Sequence, residues 1–464
     1  MRRAWAVVLV AVAAGGAAYA PARAGAADIT NVASAFDDDN PYDFRFRVTY
    51  THSEKRAQIK REFEGLSSTQ SQIAVLRDLA YARTRDVMSL RGEFGIFQDL
   101  MLHAELPIIF GDNERYGFDQ SEGSACRYPP DPNPDCVNAG NSSTLADGIV
   151  PAGGFDATNG GAGLAAPALF RGVKRGAIGG GGLDSFDTFN FGLTWAPVSQ
   201  KRDDTKPTWI LALEPQISIG NIKQFDRMRP NANHAVSEGI HKLVARTAIS
   251  RRWKWIDPYI GFWYMYPIAR GDSLFKDYGP SQKVKNPMQQ GGTAFGVELV
   301  PFERPRDGHK IAIDLRGRLE GHFAGRGYSE GWELFASSPA LACDNTHADF
   351  NLACNSMATS NAYQGQPFTG ITTIENYATL GTDFSLDVQV GKHARMRTSF
   401  MYTHDQSHFI TGEDIGVPTT SSGRVMSAPE FNPAYRAVID QVGRRYRVDN
   451  VDVFDFQIWA QLQF

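Results

Sequence analysis

The sequence predicts an all-β protein, a closed up-and-down antiparallel transmembrane β-barrel of about twelve strands with short periplasmic turns and long extracellular loops. Three observations predict this fold class. Apolar and polar residues alternate along about twelve segments, with the period of two that an extended chain imposes. The connections between these segments alternate between short and long. The chain also begins with an export signal and ends, within its last strand, on a phenylalanine.

Each predicted strand has one apolar face and one polar face. In the segment 310–323, Ile313 and Leu315 face one way, while Asp314 and Arg316 face the other. Most segments approach the roughly 9–11 residues that a tilted strand needs to cross the hydrocarbon layer. The predicted strands are 43–50, 87–94, 100–109, 188–195, 208–219, 241–250, 258–266, 291–300, 310–323, 377–390, 394–402 and 451–464.

The connections predict which rim each loop occupies. The short connections are 95–99, 198–207, 251–257, 301–309 and 391–393. The long connections are 53–79, 111–185, 221–240, 267–289, 324–376 and 405–450. Strict alternation is typical of a barrel with tight turns on one rim and large loops on the other. An even number of strands then puts both ends of the barrel chain on the short-turn rim.

The chain divides into three predicted parts. Residues 1–24 have a basic start, an apolar stretch and an Ala-x-Ala site, which predict a signal peptide. Residues 25–42 form a short acidic periplasmic segment, expected to be a solvated linker. Residues 43–464 form the barrel, with its long loops at 111–185, 324–376 and 405–450.

Charge and cysteine content narrow the function. The formal net charge is −4, which excludes the basic surface expected of a nucleic-acid binder. Cys126 with Cys136 and Cys343 with Cys354 are close pairs in two long loops, and an exported protein meets an oxidising compartment. We therefore expect two local disulfides. Their spacing fits no zinc pattern, and we predict no metal and no cofactor.

Alternation alone fits either a soluble sandwich or a membrane barrel. Segment length and the aromatic residues near strand ends favour the membrane barrel. The terminal Phe464 resembles the signal that bacterial outer-membrane β-barrels present to their assembly machinery. This resemblance implies a protein of the bacterial outer membrane, with outer-membrane lipid and the barrel assembly machinery as partners. The segment 90–110 is also similar to a hairpin of the porin-like transporters grouped with phenol-degradation accessory proteins, but it names no substrate.

In a barrel surrounded by lipid, the polar faces line the lumen. The cationic candidates for this lining are Arg45, Arg47, Arg91, Lys242, Arg246, Arg316, Arg318, Arg395 and Arg397. The acidic candidates are Glu93, Glu105, Glu214, Glu298, Asp314, Glu320, Asp383, Asp387 and Asp455. Such a lining predicts a porin-like channel for passive diffusion of small polar solutes. Neither sign predominates, so the sequence predicts no ion selectivity.

Two alternatives remain open from the sequence. The same charges can pair and plug the lumen, so that the barrel only anchors extracellular loops for adhesion or partner binding. An outer-membrane lipid hydrolase would need a nucleophile beside a histidine, and His404, Ser407 and His408 are the local candidates. Their spacing does not match that chemistry. We therefore predict a protein that is not an enzyme.

Overall fold

The computed structural model of the protein describes residues 27–35, 43–66, 71–119, 136–150, 154–157, 170–276, 282–341, 368–426 and 430–464. Twelve long antiparallel strands pair in sequence order, and the last strand pairs with the first. The sheet is therefore the closed up-and-down barrel that the sequence predicts. Its strands are β1 (Phe44–Leu66), β2 (Ser71–Phe97), β3 (Leu100–Phe118), β4 (Thr188–Val198), β5 (Thr208–Ser218), β6 (Ile240–Ser250), β7 (Ile256–Ala269), β8 (Gln290–Arg304), β9 (His309–His322), β10 (Tyr377–Val390), β11 (Ala394–Asp405) and β12 (Tyr446–Gln463).

The remaining elements of the described chain are short. The helices are α1 (Ser143–Ala146), α2 (Trp332–Ser337) and α3 (Ala437–Asp440). Single 3₁₀ turns cover Asp28–Thr30, Gly182–Ser185 and Leu274–Lys276, and short strands cover Phe170–Arg171, Gly325–Gly327, Thr372–Ile374 and His408–Phe409. None of the helices described is long and apolar enough to cross a membrane. The predicted signal peptide, 1–24, lies outside the described residues.

The barrel closes between its first and last strands. The backbone N–H of Phe464 donates to the carbonyl of Phe44 at 2.9 Å, and the N–H of Phe44 donates back at 3.2 Å. The ladder continues through pairs such as Val48 with Ala460. Closure pairs edges that would otherwise carry unsatisfied backbone groups in lipid. Phe464 thus lies at the seam, and its role as an assembly signal stays a prediction.

The polarity of the wall fits a membrane protein of the bacterial outer membrane. Outward-facing Phe46, Leu315 and Phe400 are 37%, 44% and 56% exposed, whereas the alternating Asp314 and Arg397 are 2% and 4% exposed. Because an apolar outer belt around a polar interior is the arrangement of transmembrane β-barrels, the belt contacts lipid. The five tight connections, 98–99, 199–207, 251–255, 305–308 and 391–393, all lie on the rim that holds both ends of the barrel.

One loop prediction is wrong. The connection 53–79 was expected to be a long loop, but β1 and β2 stay paired from Phe44 with Phe94 up to Leu66 with Ser71. The hairpin therefore projects well beyond the lipid belt. Charged residues on both faces hid this extension in the sequence, because alternation of polarity was the signal used to define strands. β3 likewise continues to Phe118, and β12 begins at Tyr446.

The projecting strands and the long loops share a second core outside the membrane. We call the described loop segments 136–150, 325–341, 368–376, 410–426 and 430–445 the loop cap. Its core combines side chains from the strand extensions and from all three helices. These buried residues include Ile59, Leu79, Tyr81, Tyr116, Leu145, Ile149, Leu334, Phe335, Val438, Ile439 and Tyr446. The loop cap is thus a packed structure over the long-loop mouth of the barrel.

A candidate luminal site

The described start of the chain lies inside the barrel near the short-turn rim. Residues 25–42 were expected to be a solvated acidic linker. Instead, Ala27, Ala33 and Ala35 are fully buried, so this expectation is wrong for the described part, 27–35. We call 27–35 the N-terminal segment. The acidic run 37–39 lies outside the described residues.

Small side chains allow the N-terminal segment to enter. Ser34 accepts a hydrogen bond from the N–H of Asp99 at 3.0 Å, and Ala35 donates to the carbonyl of Phe97 at 3.2 Å. A Cβ at Gly95 would lie 2.7 Å from the backbone of Ser34. Only glycine at this position lets the segment pass so close to β2. Thr30 extends the contact to β6, with its hydroxyl 2.6 Å from that of Ser250.

Asp28 brings the N-terminal segment into the charged network of the lumen. Its carboxylate lies 3.0 Å from Arg395 and 3.4 Å from Arg397, both on β11. Its backbone N–H donates to Glu298 at 3.1 Å. Arg395 also contacts Asp387 at 2.6 Å. The two arginines are therefore shared between the barrel wall and the N-terminal segment.

A second part of the network joins β9, β10 and β11. Arg316 contacts Asp314 at 3.0 Å, and Arg318 contacts Asp383 at 2.6 Å. Arg397 also pairs with Asp314, which connects two strands that are not neighbours. Side chains from non-adjacent strands meet in this way on the concave face. The geometry therefore puts these charges inside the barrel.

Most of the remaining predicted lining residues form two smaller groups. In the first group, Glu93 contacts Arg91 at 2.8 Å, Arg45 at 3.8 Å and Arg47 at 3.9 Å. Arg91 also reaches Glu105 at 3.0 Å. Charges from three strands, β1 to β3, therefore meet near the short-turn end.

In the second group, Glu214 contacts Arg246 at 3.2 Å and His103 at 3.0 Å. The side chain of Arg246 is nevertheless 46% exposed, so it projects into open space within the lumen. His103 was not among the sequence candidates. The sequence signal that could have identified His103 was its position on the polar face of β3.

Three candidates stay apart from these groups. Asp455 hydrogen-bonds to Ser53, its partner across the seam. Within the described ranges, Glu320 and Lys242 form no ion pair closer than 4.0 Å, and both face the main cavity. Both charged groups therefore border the open space of this cavity.

The main cavity occupies the barrel interior and has a volume of about 700 Å³. Ile29 of the N-terminal segment borders it on one side, and Tyr328 and Glu330 of the loop cap border it on the other. One wall carries Ile240, Val244, Trp263 and Met265; the charged lining includes Lys55, Lys242, Arg246, Arg316, Arg318 and Glu320. We call this cavity the main chamber. It combines an apolar surface with charges of both signs.

A smaller and more polar cavity of about 210 Å³ lies beside the main chamber. Asp28, Arg47 and Arg91 line it. Arg316 and Arg318 border both cavities. These two arginines therefore form the boundary between the compartments.

The loop cap is fastened to the barrel wall at the mouth of the main chamber. Lys55 on β1 contacts Glu330 at 2.7 Å and Asp405 at 3.6 Å. Burial alone would raise the pKa of Glu330, but the positive charges of Lys55 and His408 outweigh it and lower the pKa to about 2. Sequence analysis missed Lys55 because it assigned this part of β1 to a loop. Polarity does not alternate there, so the available signal was only the position of Lys55, which continues the inward-facing series of Thr49 and Thr51 at a spacing of two residues.

The candidate hydrolase residues do not form a catalytic group. His404 contacts Asp452 on the outer wall at 2.9 Å. His408 is buried and stacks on Tyr377 with ring centroids 3.8 Å apart, while Ser407 hydrogen-bonds to Asp449. The three side chains thus serve separate contacts. No group of three or more His, Cys, Asp or Glu in the described ranges is arranged to hold a metal ion.

The predicted disulfides stay predictions. Cys136 is buried at 2% exposure. Cys126, Cys343 and Cys354 lie outside the described residues.

Comparison with known proteins finds similarity in architecture only. No protein-family model matches this sequence. No curated protein sequence matches it either. Solved structures with a similar arrangement include a COG4313 outer membrane channel from Pseudomonas putida F1, with 8% identity, coverage of 90% of this chain and 95% of the other, and a TM-score of 0.36.

Two further similar structures are a FadL homologue from Pseudomonas aeruginosa and a deletion mutant of the TodX monoaromatic hydrocarbon channel. Each shares 8% identity and covers 91% of this chain and 90% of the other; the TM-scores are 0.29 and 0.28.

Proposed function

We propose that this protein is an outer-membrane channel through which small polar solutes diffuse passively. The observation that carries this proposal is the main chamber, a cavity of about 700 Å³ inside a closed barrel, lined by charges from several strands. Charged rings in a lumen sort solutes by size and charge. Lys242 and Glu320 supply unpaired charges of opposite sign within the described lining.

The N-terminal segment gates this channel from the short-turn side. It occupies the lumen near that rim, and its contact with Arg395 and Arg397 depends on one carboxylate, that of Asp28. Without this carboxylate both ion pairs between the N-terminal segment and β11 are lost, whereas Arg395 keeps Asp387 and Arg397 keeps Asp314 as partners in the barrel wall. Loss of the Asp28 charge therefore favours departure of the N-terminal segment from the lumen.

Arg316 and Arg318 form the selective constriction. Both border the main chamber and the smaller cavity, so a solute that crosses the lumen passes them. Asp314 and Asp383 hold the two guanidinium groups at this boundary. Neutral side chains at 316 and 318 leave the local acidic residues in excess, which favours cations.

A plugged barrel that anchors the loop cap is the second candidate. Two observations favour it: the N-terminal segment occupies the lumen, and a buried core outside the membrane stabilises the loops. Such a protein presents a surface to a partner and does not conduct. The two functions therefore differ in ion conductance, which can be measured.

Single-channel recording in planar bilayers tests the proposal. We expect discrete conductance steps from the wild-type protein and a higher open probability for Asp28→Asn. The matched control is Asp272→Asn, because the Asp272 side chain is 66% exposed and pairs locally with Arg270 outside the lumen. Arg316→Gln with Arg318→Gln is expected to shift the reversal potential in a salt gradient towards that of a cation-selective pore.

Folding is checked separately by heat-dependent gel mobility. If folded wild type and folded Asp28→Asn are both silent, the channel function is wrong, and the plugged barrel is favoured. If Asp28→Asn and Asp272→Asn have the same open probability, the protein can still be a channel, but Asp28 has no role in gating it.

A further inference from the structure

The carboxylate of Asp257 is buried in the lumen without a partner of its own. Asp257 lies at the start of β7, beside the short-turn rim, and is 1% exposed. Among the described residues, neither of its oxygens has a hydrogen-bond partner of good geometry, and no cationic side chain lies within 4.0 Å. A buried carboxylate stays ionised only when a positive group compensates its charge.

The cationic side chains that act on Asp257 are bound to other carboxylates. These cations are Lys310 and Arg252. Lys310 contacts Glu298 at 2.5 Å, and Arg252 contacts Glu303 at 2.6 Å. Two cations thus serve three carboxylates, those of Asp257, Glu298 and Glu303. This group of side chains therefore carries one uncompensated negative charge if Asp257 is ionised.

The backbone nitrogen of Ala27, in the N-terminal segment, approaches the Asp257 carboxylate. Ala27 is fully buried, and its carbonyl accepts from the N–H and the hydroxyl of Thr30 at 2.9 and 3.2 Å. The next N–H, that of Asp28, donates to Glu298 at 3.1 Å. Glu298 lies opposite Asp257 in the ladder between β7 and β8. Successive nitrogens of the segment therefore face neighbouring carboxylates of the wall.

Two possible processing sites precede Ala27 in the sequence. Residues 22–24 read Ala-Arg-Ala, and residues 24–26 read Ala-Gly-Ala. Both triplets have the small residues that signal-peptide cleavage requires. Cleavage after the first triplet leaves Gly25 as the first residue, whereas cleavage after the second leaves Ala27. A newly formed α-amine takes up a proton near neutral pH, so the second site would place a positive charge on the nitrogen of Ala27.

We propose that the mature chain begins at Ala27 and that Asp257 binds its α-ammonium group. A signal peptidase hydrolyses the peptide bond between Ala26 and Ala27 with one water molecule. Ala26 keeps a carboxylate, and the released amine of Ala27 gains a proton. The ammonium then balances the charge of Asp257. Removal of the signal peptide thus creates the group that fastens the N-terminal segment in the lumen, whether or not the barrel conducts.

The first test is the intact mass of the protein after export with its complete N-terminus. We expect the mass of a chain that begins at Ala27. A chain that begins at Gly25, or at any other residue, overturns the proposal, because its α-ammonium group would not be on the nitrogen that faces Asp257.

The second test measures the contact itself through the reactivity of the α-amine. The probe is pyridinecarboxaldehyde, which modifies α-amines and spares lysine, and peptide mass spectrometry follows its addition to Ala27. We expect the amine of folded wild type to react about tenfold more slowly than that of folded Asp257→Asn, because a charge-assisted hydrogen bond protects it. After heat denaturation the two proteins should react alike.

Equal rates in the two folded proteins overturn the proposal. They are the result expected if Asp257 carries a proton, because asparagine is then a neutral replacement of the same shape. The matched control is Asp203→Asn. Asp203 lies in the short connection 199–207 and pairs locally with Lys206 at 3.1 Å, so its substitution should leave the rate at the wild-type level.

A second variant keeps the test available if Asp257→Asn does not fold. Ala26→Leu removes the triplet at 24–26, keeps the triplet at 22–24 and leaves the barrel unchanged. Its chain should begin at Gly25, with an α-amine that reacts about tenfold faster than that of wild type. A slow reaction of this displaced amine would show that protection does not come from Asp257, and the assignment would be wrong.

Discussion

The barrel and the loop cap are built on the same strands, but apolar side chains face outward in the barrel and inward in the loop cap. Along the inward face of β1, Thr51 and Lys55 face the polar lumen, whereas Ala57 and Ile59, two and four residues beyond Lys55, enter the apolar core of the cap. Within the membrane the apolar side chains are outside because lipid surrounds the wall. Beyond it, water surrounds the protein, and burial of apolar surface again drives packing inward. The medium around each region decides which face is apolar.

The largest expected effect comes from a cap residue. Phe335 is fully buried, and its ring centroid lies 5.1 Å from that of Tyr446. Truncation of a buried phenylalanine costs about 3–5 kcal/mol. We expect Phe335→Ala to increase hydrogen exchange throughout 325–341, while heat-dependent gel mobility shows an intact barrel.

The matched control is Phe400→Ala on the lipid face. Phe400 is 56% exposed to the membrane side, so acyl chains replace the lost ring, and hydrogen exchange in the cap should stay at the wild-type level. If Phe335→Ala instead unfolds the barrel, the two regions form one cooperative unit, and the contrast between them does not extend to their stability.

Sequence predicted the barrel well because lipid imposes a strict pattern. A segment such as β9 carries Leu315 and Arg316 on opposite faces, and a shift of one residue would reverse both environments. The strand count, closure and alternating rims all follow from this repeated constraint. The membrane part of the fold could therefore be predicted from a single sequence, without a homologous sequence for comparison.

The loop cap and the N-terminal segment could not be predicted in this way. Ile59 and Leu79 belong to strands whose outer faces meet water, so no lipid-facing stripe marks them. Their partners, such as Leu334 and Val438, come from distant loops. Asp28 presented a similar problem, since an acidic residue just after the predicted signal peptide suits a solvated linker unless the positions of Arg395 and Arg397 are known.

The next prediction contrasts the two faces of the wall. Leu315→Arg puts a charge among acyl chains, which costs about 2–4 kcal/mol near the bilayer midplane. Gln290→Arg adds the same side chain to β8, where Gln290 lines the main chamber, and we expect a loss below about 1 kcal/mol. Urea titration of protein folded into vesicles measures both. Equal losses would mean that the belt around Leu315 does not contact lipid.

The smallest expected effect concerns the attachment of the cap to the barrel. The pKa of Glu330 is about 2 in the folded protein, compared with an ordinary value of 4.5. Because the folded value is the lower one, the stability that Glu330 contributes is present above pH 4.5 and disappears as the pH falls towards 2. Hydrogen exchange of 325–341, corrected for the intrinsic effect of pH, should therefore accelerate over this range.

A second buried carboxyl in the cap has the opposite dependence. Burial, together with the negative charge of Glu413, raises the pKa of Asp440 from 3.8 to about 7, so its contribution is present below pH 3.8 and is lost as the pH rises through 7. The two windows barely overlap. Glu330→Gln should speed hydrogen exchange in 325–341 at pH 6, and it should remove the acceleration below pH 4.5. Any change in hydrogen exchange that Asp440 causes between pH 4.5 and 7 should persist in this variant. If the acid-side acceleration survives in Glu330→Gln, the contact between Lys55 and Glu330 does not hold the cap to the barrel.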